Sequence, residues 1–209
     1  MILIGLTGGI GAGKSTVSAM LAQRGAIVID GDVLVRELQQ PGTVVLDKII
    51  ERFGPNVMTE LGELNRAALA AIVFHDPDAL ADLNDIVHPP LAIEIAKRID
   101  AEVHTDHVVV LDLPLLAENP RHDLNGVVVV DTDQETARDR LFKFRGMSRS
   151  DVDARMSRQV DRKTRNAIAG FIIDNSSDLE NLRIEVDRAW KWITSLPHSS
   201  TVNGMEVTP

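Results

Sequence analysis

The sequence has 209 residues, enough to bury one substantial core with a small inserted subdomain. It contains no apolar run of the ~18–20 residues that a membrane span needs, and it has no cysteine, which excludes disulfides and thiolate metal sites. The net charge of −9 argues against nucleic acid as the main partner. We therefore expect a cytoplasmic globular protein that binds neither nucleic acid nor a membrane.

Apolar strands alternate with helical segments along the chain, which is typical of a parallel sheet covered by helices. Each predicted strand is a continuous apolar or β-branched run, as in buried parallel sheets. These strands are residues 1–7, 26–30, 108–112, 127–131 and 171–174. Helices are predicted at 14–23 and at about 179–196, and the polar residues 197–209 are expected to form a disordered tail. The pattern predicts an α/β fold.

Roughly 75 residues with helical periodicity separate the second and third strands. Asp76 and Pro77 have the form of an N-cap followed by proline at the first helical position. Residues 67–74 and 79–87 carry apolar side chains at helical spacing. Because so long a crossover is more than one helix, we predict a helical insertion on one side of the sheet, at about 32–104.

Residues Gly8 to Ser15 match G-x-x-x-x-G-K-[ST] in full, between an apolar strand and a helix, the context that this motif requires. The glycines let backbone N–H groups approach phosphates, and the helix N-terminus adds a partial positive charge. Lys14 is predicted to bridge the β- and γ-phosphates, Ser15 to supply a hydroxyl ligand to Mg²⁺, and Thr16 to contact the α-phosphate. The motif predicts a nucleoside triphosphate site.

A dinucleotide-binding fingerprint is the competing interpretation of these glycines. Gly9 and Gly11 follow a strand, and Asp30 stands about 20 residues further on, as that fingerprint requires. Lys14, however, stands where the fingerprint has glycine or alanine. A lysine would crowd a pyrophosphate but suits a terminal triphosphate, so the triphosphate site is favoured.

Two carboxylates, Asp30 and Asp32, follow the second strand at the edge where open α/β sheets bind ligands. An acceptor hydroxyl benefits from a carboxylate that accepts its proton, so Asp32 is predicted to be the base and Asp30 a structural group. The alternative is that Asp32 caps a helix beginning at Val33. Arg36, one turn later, would project from the same helix face as Asp32 and bind an acceptor phosphate. The alternative is that Arg36 only forms a surface ion pair.

Two further residues have weaker patterns. Asp112 ends an apolar strand in the form of a Walker B acid, which reaches Mg²⁺ through water, although many buried strands also end in aspartate. His88 precedes Pro89 and Pro90, and a lone histidine at a helix end is more often structural than functional.

Residues 138–165 are basic, with ten Lys or Arg against four Asp in an acidic protein. We predict two helices here, at about 134–144 and 150–165, joined around Gly146, which close over the nucleotide as a lid. A local positive cluster suits a small, compact anion. The alternative is a solvated helical face.

The cations of this basic segment are not expected to be equivalent. Closure would bring Arg140 and Arg145 against the transferring phosphoryl group, where a guanidinium stabilises the spreading negative charge. Arg149 and Arg162 are expected to face solvent, where an ion pair is worth little.

Together with further motifs, these residues make the chain resemble the dephospho-CoA kinases, in order and over nearly the whole length to about residue 195. The matching residues are Leu6 to Thr16, Val28 to Asp32 with Arg36, Leu64 to Arg66 with Val73 and Phe74, His88 with Pro89, Leu111 to Leu116 with Glu118, Arg140 with Leu141, Arg145 with Gly146, Gln159, and Asp174 with Asn175. The P-loop is common to many families, but the Asp-x-Asp, His-Pro and Asp-Leu-Pro-Leu-Leu set is not.

This resemblance implies a P-loop NTPase, nucleotide-kinase-like fold: a five-stranded parallel sheet flanked by helices, with a helical acceptor-side insertion and a lid. It implies a single kinase unit at 1–196, with a core at 1–31, 105–137 and 166–196. It also implies the reaction, ATP-dependent phosphorylation of the ribose 3′-hydroxyl of dephospho-CoA, with Mg²⁺ and with no obligatory protein partner.

The family's catalytic residues fall on Asp32, Lys14 and Arg140. The implied ATP-binding residues are Gly9, Gly11, Ala12, Gly13, Lys14, Ser15, Thr16, Arg145 and Asn175. The implied acceptor-binding residues are Thr7, Asp32, Arg36, Arg66, His88, Pro114 and Leu115. The metal is expected at Ser15 and, through water, at Asp112.

Other classes of function stay open at this point. The chain could be a different small-molecule P-loop kinase, such as a nucleoside monophosphate or gluconate-type enzyme, or a non-catalytic nucleotide-binding switch or scaffold. The absence of an Asn-Lys-x-Asp guanine motif counts against a GTPase.

Overall fold

The structure of the protein is a computed structural model that describes residues 1–198, 201–202 and 205–206, with the backbone alone at Arg145 and in the last four. The chain divides into two compact units. The core unit is Met1–Ile29 with Asp100–Pro209, and the helical unit is Asp30–Ile99.

The helices and strands follow in this order: β1 (Ile2–Gly8), α1 (Lys14–Gln23), β2 (Ile27–Asp30), α2 (Gly31–Leu38), α3 (Val44–Phe53), a 3₁₀-helix (Pro55–Val57), α4 (Arg66–Val73), α5 (Pro77–Asp100), β3 (Val108–Asp112), β4 (Gly126–Asp131), α6 (Gln134–Arg145), α7 (Arg149–Met156), α8 (Arg162–Ala167), β5 (Phe171–Asp174), α9 (Leu179–Thr194), β6 (Thr201–Val202) and β7 (Met205–Glu206). Within the described residues, no helix is both long and apolar enough to cross a bilayer.

The main sheet has five parallel strands in the order β2-β3-β1-β4-β5. The central strand β1 pairs in parallel with β3 on one side and β4 on the other, and all seven of its residues are buried. Strand β4 pairs in parallel with β5. The predicted α/β fold and its parallel sheet are confirmed, because continuous apolar runs belong in strands that are covered on both faces.

The helical unit consists of α2 to α5 with the 3₁₀-helix, around a core that includes Val45, Ile49 and Leu69. Asp76 accepts hydrogen bonds from the N–H groups of Asp78 and Ala79 at 3.0 and 3.1 Å, so the predicted cap of α5 is confirmed. This unit overlaps the insertion predicted at about 32–104. That it binds the acceptor stays a prediction.

Helix α5 continues through Pro89 and Pro90, so the expectation that His88 stands at a helix end is wrong. Each proline lacks the N–H that would bond to a carbonyl four residues earlier, which normally favours a break. Val87 before the prolines and Ile95 after them are both buried. Burial of apolar side chains on both sides of the pair keeps the two halves in one helix.

The prediction of one lid helix at 150–165 is wrong in its extent, because the structure has two helices there, α7 and α8. Asp161 ends the intervening turn and caps α8, accepting a hydrogen bond from the Thr164 N–H at 2.7 Å. The predicted turn at Gly146 is confirmed: Gly146 follows α6 with φ of 59°, a left-handed conformation that favours glycine.

The tail at 197–209, expected to be disordered, contains a short antiparallel pairing of β6 with β7. Residues 199–200, 203–204 and 207–209 lie outside the described residues. The expectation for the tail as a whole stays a prediction.

Candidate active site

The P-loop lies between β1 and α1 and is shaped by glycines with positive φ. Gly11 has φ of 79° and Gly13 has φ of 88°. A Cβ at Gly11 would lie 2.7 Å from the carbonyl oxygen of Ala137 on α6, and a Cβ at Gly13 would collide with the amide of Asn175. The close approach of these neighbours excludes larger residues at both positions.

Asn175 holds the P-loop from the end of β5. Its side-chain amide donates to the carbonyl of Ala12 at 2.7 Å, and its backbone N–H donates to the carbonyl of Asp131 at 2.8 Å. Asn175 was predicted to bind ATP. The structure gives its amide nitrogen a role in fixing the P-loop, and its binding to ATP stays a prediction.

Lys14, the predicted phosphate-binding lysine, forms an ion pair with Asp112, the predicted Walker B acid. Asp112 is buried at the end of β3, whereas the neighbouring Ser15 is exposed in the first turn of α1. A hydroxyl and a carboxylate are the oxygen donors that Mg²⁺ prefers. Among the described residues, no group of three or more His, Cys, Asp or Glu could hold a metal by itself.

Arg140 projects from α6 toward the P-loop. Its Nη1 atom would lie 3.9 Å from a Cβ at Gly13, and this buried nitrogen has no hydrogen-bond partner in the described part of the chain. A buried N–H of a charged group is costly unless it is paired. The guanidinium is therefore suited to an anion beside the P-loop. The side chain of Arg145, predicted to act with it, lies outside the described residues.

Arg162 faces solvent, as expected, with 49% of its side chain exposed, and its ion pair is made with a buried carboxylate. Its guanidinium makes three hydrogen bonds of 2.6 to 2.9 Å to the carboxylate of Asp131, which is buried at the end of β4. These bonds, and then the charge of Asp131, raise the pKa of Arg162. A buried carboxylate needs a counter-charge, and α8 supplies it. Arg149 is exposed, as expected, with its guanidinium 5.9 Å from the ring centre of Phe142.

The loop after β3 carries two of the predicted acceptor-binding residues, Pro114 and Leu115. The hydroxyl of Thr7, a third, donates to the carbonyl of Pro114 at 3.2 Å, and the N–H of Leu113 donates to the carbonyl of Leu6 at 3.1 Å. The side chain of Leu115 is exposed. The structure thus brings Thr7 and Pro114 together at the end of β1.

The helical unit carries the predicted base. Asp30, and not Asp32, caps α2, because its Oδ1 accepts from the N–H groups of Asp32 and Val33 at 2.8 and 3.1 Å. The alternative that Asp32 is the cap is therefore wrong. The exposed side chain of Asp32 stands in the first turn of α2, four residues before the exposed Arg36.

The other two residues predicted in this unit are also exposed. Arg66 is the first residue of α4, after the N-cap Asn65, whose side chain accepts from the Ala68 N–H at 3.1 Å. His88 lies within α5. Both side chains are therefore available to a ligand.

Three side chains around the P-loop had no predicted role. Glu118 and Gln159 entered only as parts of the family resemblance, and Arg165 was one cation among ten. The structure places Gln159 and Arg165 at the P-loop and Glu118 against the backbone beside them. Glu118 and Gln159 are single polar residues in loops, and Arg165 is one of several cations in α8, so no spacing could have revealed these positions.

The P-loop follows the central strand of a parallel sheet of order β2-β3-β1-β4-β5, and its lysine lies beside the acid at the end of β3. These features define a P-loop kinase-like protein. The family model for dephospho-CoA kinase matches residues 2–181. A dephospho-CoA kinase of Streptomyces avermitilis is 46% identical over 201 residues, which cover 95% of this chain and 97% of the relative. The chain belongs to the dephospho-CoA kinase family.

Solved structures agree with this fold. A crystal structure of a Thermus thermophilus protein matches with a TM-score of 0.78 at 32% identity, over 92% of this chain and 95% of that chain. A dephospho-CoA kinase from Campylobacter jejuni matches with a TM-score of 0.69 at 24% identity, over 92% and 96% of the two chains. At that lower identity the second likeness concerns the fold alone.

Proposed function

We propose that the chain catalyses the reaction for which its family is named, transferring the γ-phosphoryl group of ATP to the ribose 3′-hydroxyl of dephospho-CoA to give CoA and ADP, the last step of CoA biosynthesis. The observation that carries this proposal is the complete P-loop with Lys14 beside Asp112, in a chain 46% identical to a dephospho-CoA kinase. Family membership favours this acceptor over a nucleotide or a sugar acid, and favours an enzyme over a switch.

The core unit would hold the nucleotide. The P-loop N–H groups and the N-terminus of α1 bind the phosphates, and the Lys14 ammonium exchanges the Asp112 carboxylate for the β- and γ-phosphate oxygens. Ser15 and, through water, Asp112 would hold Mg²⁺, which when bound neutralises the phosphate charge. The unpaired Nη1 of Arg140 stabilises the negative charge that spreads over the transferring group.

The helical unit would supply the base and cations for the acceptor. Asp32 accepts the proton of the 3′-hydroxyl while the oxygen of that hydroxyl bonds to the γ-phosphorus. The bond from the γ-phosphorus to the bridging oxygen of ADP breaks at the same time. Arg36, Arg66 and His88 bind the anionic groups of dephospho-CoA. Thr7, Pro114 and Leu115 of the core unit are also proposed to bind the acceptor.

The segment at 138–165 would act as a lid. Its basic charge, the glycine turn after α6 and the proximity of Arg140 to the P-loop support closure over ATP, which excludes water from the reaction. We also propose that the protein works in the cytoplasm without an obligatory protein partner.

A panel of acceptors tests the acceptor class. Purified protein with ATP and Mg²⁺ is offered dephospho-CoA, AMP, gluconate and water alone, and ADP release is followed in a coupled assay. We expect rapid turnover with dephospho-CoA and little with the others. Release of ADP at the same rate with water alone would indicate a nucleotide hydrolase or switch instead.

A further inference from the structure

The tip of the P-loop is bonded to a backbone segment that joins α7 to α8. The side-chain oxygen Oε1 of Gln159 accepts a hydrogen bond from the backbone N–H of Ile10 at 2.9 Å. Ile10 is the middle residue between the glycines Gly9 and Gly11. Gly9, Ile10 and Gln159 line one cavity together with Val160 and Arg165. The amide of a residue in the phosphate-binding loop is thus directed by a side chain almost 150 residues away.

The same backbone segment is bonded to the loop after β3. The N–H of Val160 donates to Oε1 of Glu118 at 3.1 Å, and the carbonyl of Val160 accepts from Nη2 of Arg165 at 2.8 Å. A Cβ at Gly9 would lie 2.7 Å from Nη1 of Arg165, so this guanidinium lies directly against the P-loop. Partial burial lowers the pKa of Arg165, whereas the negative charge of Glu118 raises it.

These bonds close a ring with the contacts described above. Thr7, at the end of β1, bonds to Pro114, which stands four residues before Glu118 in the loop after β3. Glu118 bonds to Val160, and the adjacent Gln159 bonds back to Ile10, three residues after Thr7. The P-loop tip and the loop after β3 are therefore both tied to one dipeptide.

We infer that Gln159 and Glu118 are positioning residues, a clasp that presets the P-loop tip and the loop after β3 in one arrangement. A loop held in its working geometry before ATP arrives needs no ordering on binding. Gln159 acts through the Ile10 amide, and Glu118 acts through Val160 by a bond that its charge strengthens. This inference rests on the proposed function for its kinetic consequence, because the loop after β3 carries the proposed acceptor residues.

The first test compares variants of Gln159 in the 209-residue protein, by hydrogen exchange without substrates and by steady-state kinetics with ATP. Gln159→Met keeps the volume and removes the acceptor oxygen, Gln159→Asn is one methylene too short, and Gln159→Glu keeps an oxygen with the same reach. We expect the first two to speed hydrogen exchange of the Ile10 amide and to raise the KM for ATP by roughly three- to tenfold, the effect of one hydrogen bond. Gln159→Glu should restore slow exchange. Gln23→Met, in an exposed residue at the end of α1, is the matched control.

The second test asks whether the two residues act as one device. Glu118→Ala should also speed exchange at Ile10, and Glu118→Gln, which keeps an acceptor oxygen, should do so less. Combining Glu118→Ala with Gln159→Met should add little to either single effect, as expected for coupled residues. If the effects of Glu118→Ala and Gln159→Met on exchange at Ile10 were fully additive, the inference that the two residues act together as one clasp would be overturned.

The inference and the proposed function fail in different ways. Unchanged Ile10 exchange in both Gln159→Met and Gln159→Asn overturns the clasp, even if the wild-type protein phosphorylates dephospho-CoA. Faster exchange in these variants, with no phosphorylation of dephospho-CoA by the wild type, supports the clasp and overturns the proposed function. A melting temperature close to that of the wild type excludes general unfolding as the cause of faster exchange.

Discussion

Asp32→Asn keeps the shape of the side chain and removes the charge of the proposed base. Because Asp30 makes both cap bonds of α2, at 2.8 and 3.1 Å, the substitution leaves the cap in place. Asp32 is exposed, so its replacement should change the free energy of unfolding by less than about 0.5 kcal/mol. The expected effect is confined to the chemical step.

The expected loss in kcat is roughly 10²–10⁴-fold, the usual contribution of a positioned general base. In activation free energy this is about 2.7–5.4 kcal/mol. A loose transition state needs little proton removal early in the reaction, so the lower end of this range is expected. Affinity for ATP should change little, because the P-loop residues belong to the core unit.

Asp30→Asn is the matched control, since it removes the same charge two residues away. Asparagine caps helices about as well as aspartate, so this variant should keep both its stability and most of its kcat. Asp30→Ala should instead lower stability by about 1 kcal/mol through the lost cap.

Steady-state kinetics with ATP and dephospho-CoA, calorimetric ATP binding and thermal melts separate these effects. A near-wild-type kcat in Asp32→Asn would refute the assignment of the base. Equal losses in kcat for the two asparagine variants would refute it as well, since they would indicate a general effect of charge.

Three further substitutions test the core unit, with Arg149→Ala as a control for one of them. Lys14→Ala should abolish phosphoryl transfer, and circular dichroism should show that the fold is intact. If the variant kept more than about a tenth of wild-type turnover, the lost interaction would be worth less than ~1.4 kcal/mol, which would contradict the proposed role of Lys14 in binding the phosphates. Arg140→Ala should lower kcat by at least ~10²-fold, whereas Arg149→Ala should be nearly silent in the same assay. Arg162→Met should lower the free energy of unfolding by roughly 1–3 kcal/mol in urea titrations, because Asp131 is left buried without its partner; an unchanged midpoint would show that the pair contributes nothing.

The sheet and the P-loop could be predicted because their patterns are local. A buried parallel strand is a continuous apolar run, and the phosphate loop is a contiguous motif. The predicted positions of β3 and β5 agree with the observed strands at both ends.

The errors arose where long-range contacts decide the local structure. The exposed position of Arg162 was predicted correctly, but its partner Asp131, 31 residues away in the chain, was not predicted. Asp30 and Asp32 are both competent caps, and the choice depends on α2 beginning at Gly31. Two prolines after His88 suggest a helix end, and only the burial of α5 on both sides of them shows that the helix continues.

The clasp could not be predicted for the same reason. Gln159 lies in a short turn between two helices, and Glu118 lies in a loop, so neither has a periodic or motif context of its own. Their roles follow from bonds to the backbone of Ile10 and Val160, which depend on how the chain folds back on itself.

The site of phosphorylation tests the central claim most directly. Dephospho-CoA is incubated with the protein, ATP and Mg²⁺, and the product is identified by phosphorus and proton NMR, beside the 3′-deoxy analogue as a control. We predict a single new phosphate on the ribose 3′-oxygen, and an analogue that binds but is not phosphorylated. Turnover of AMP or gluconate with none of dephospho-CoA, or phosphorylation of the 3′-deoxy analogue at another position, would contradict the account.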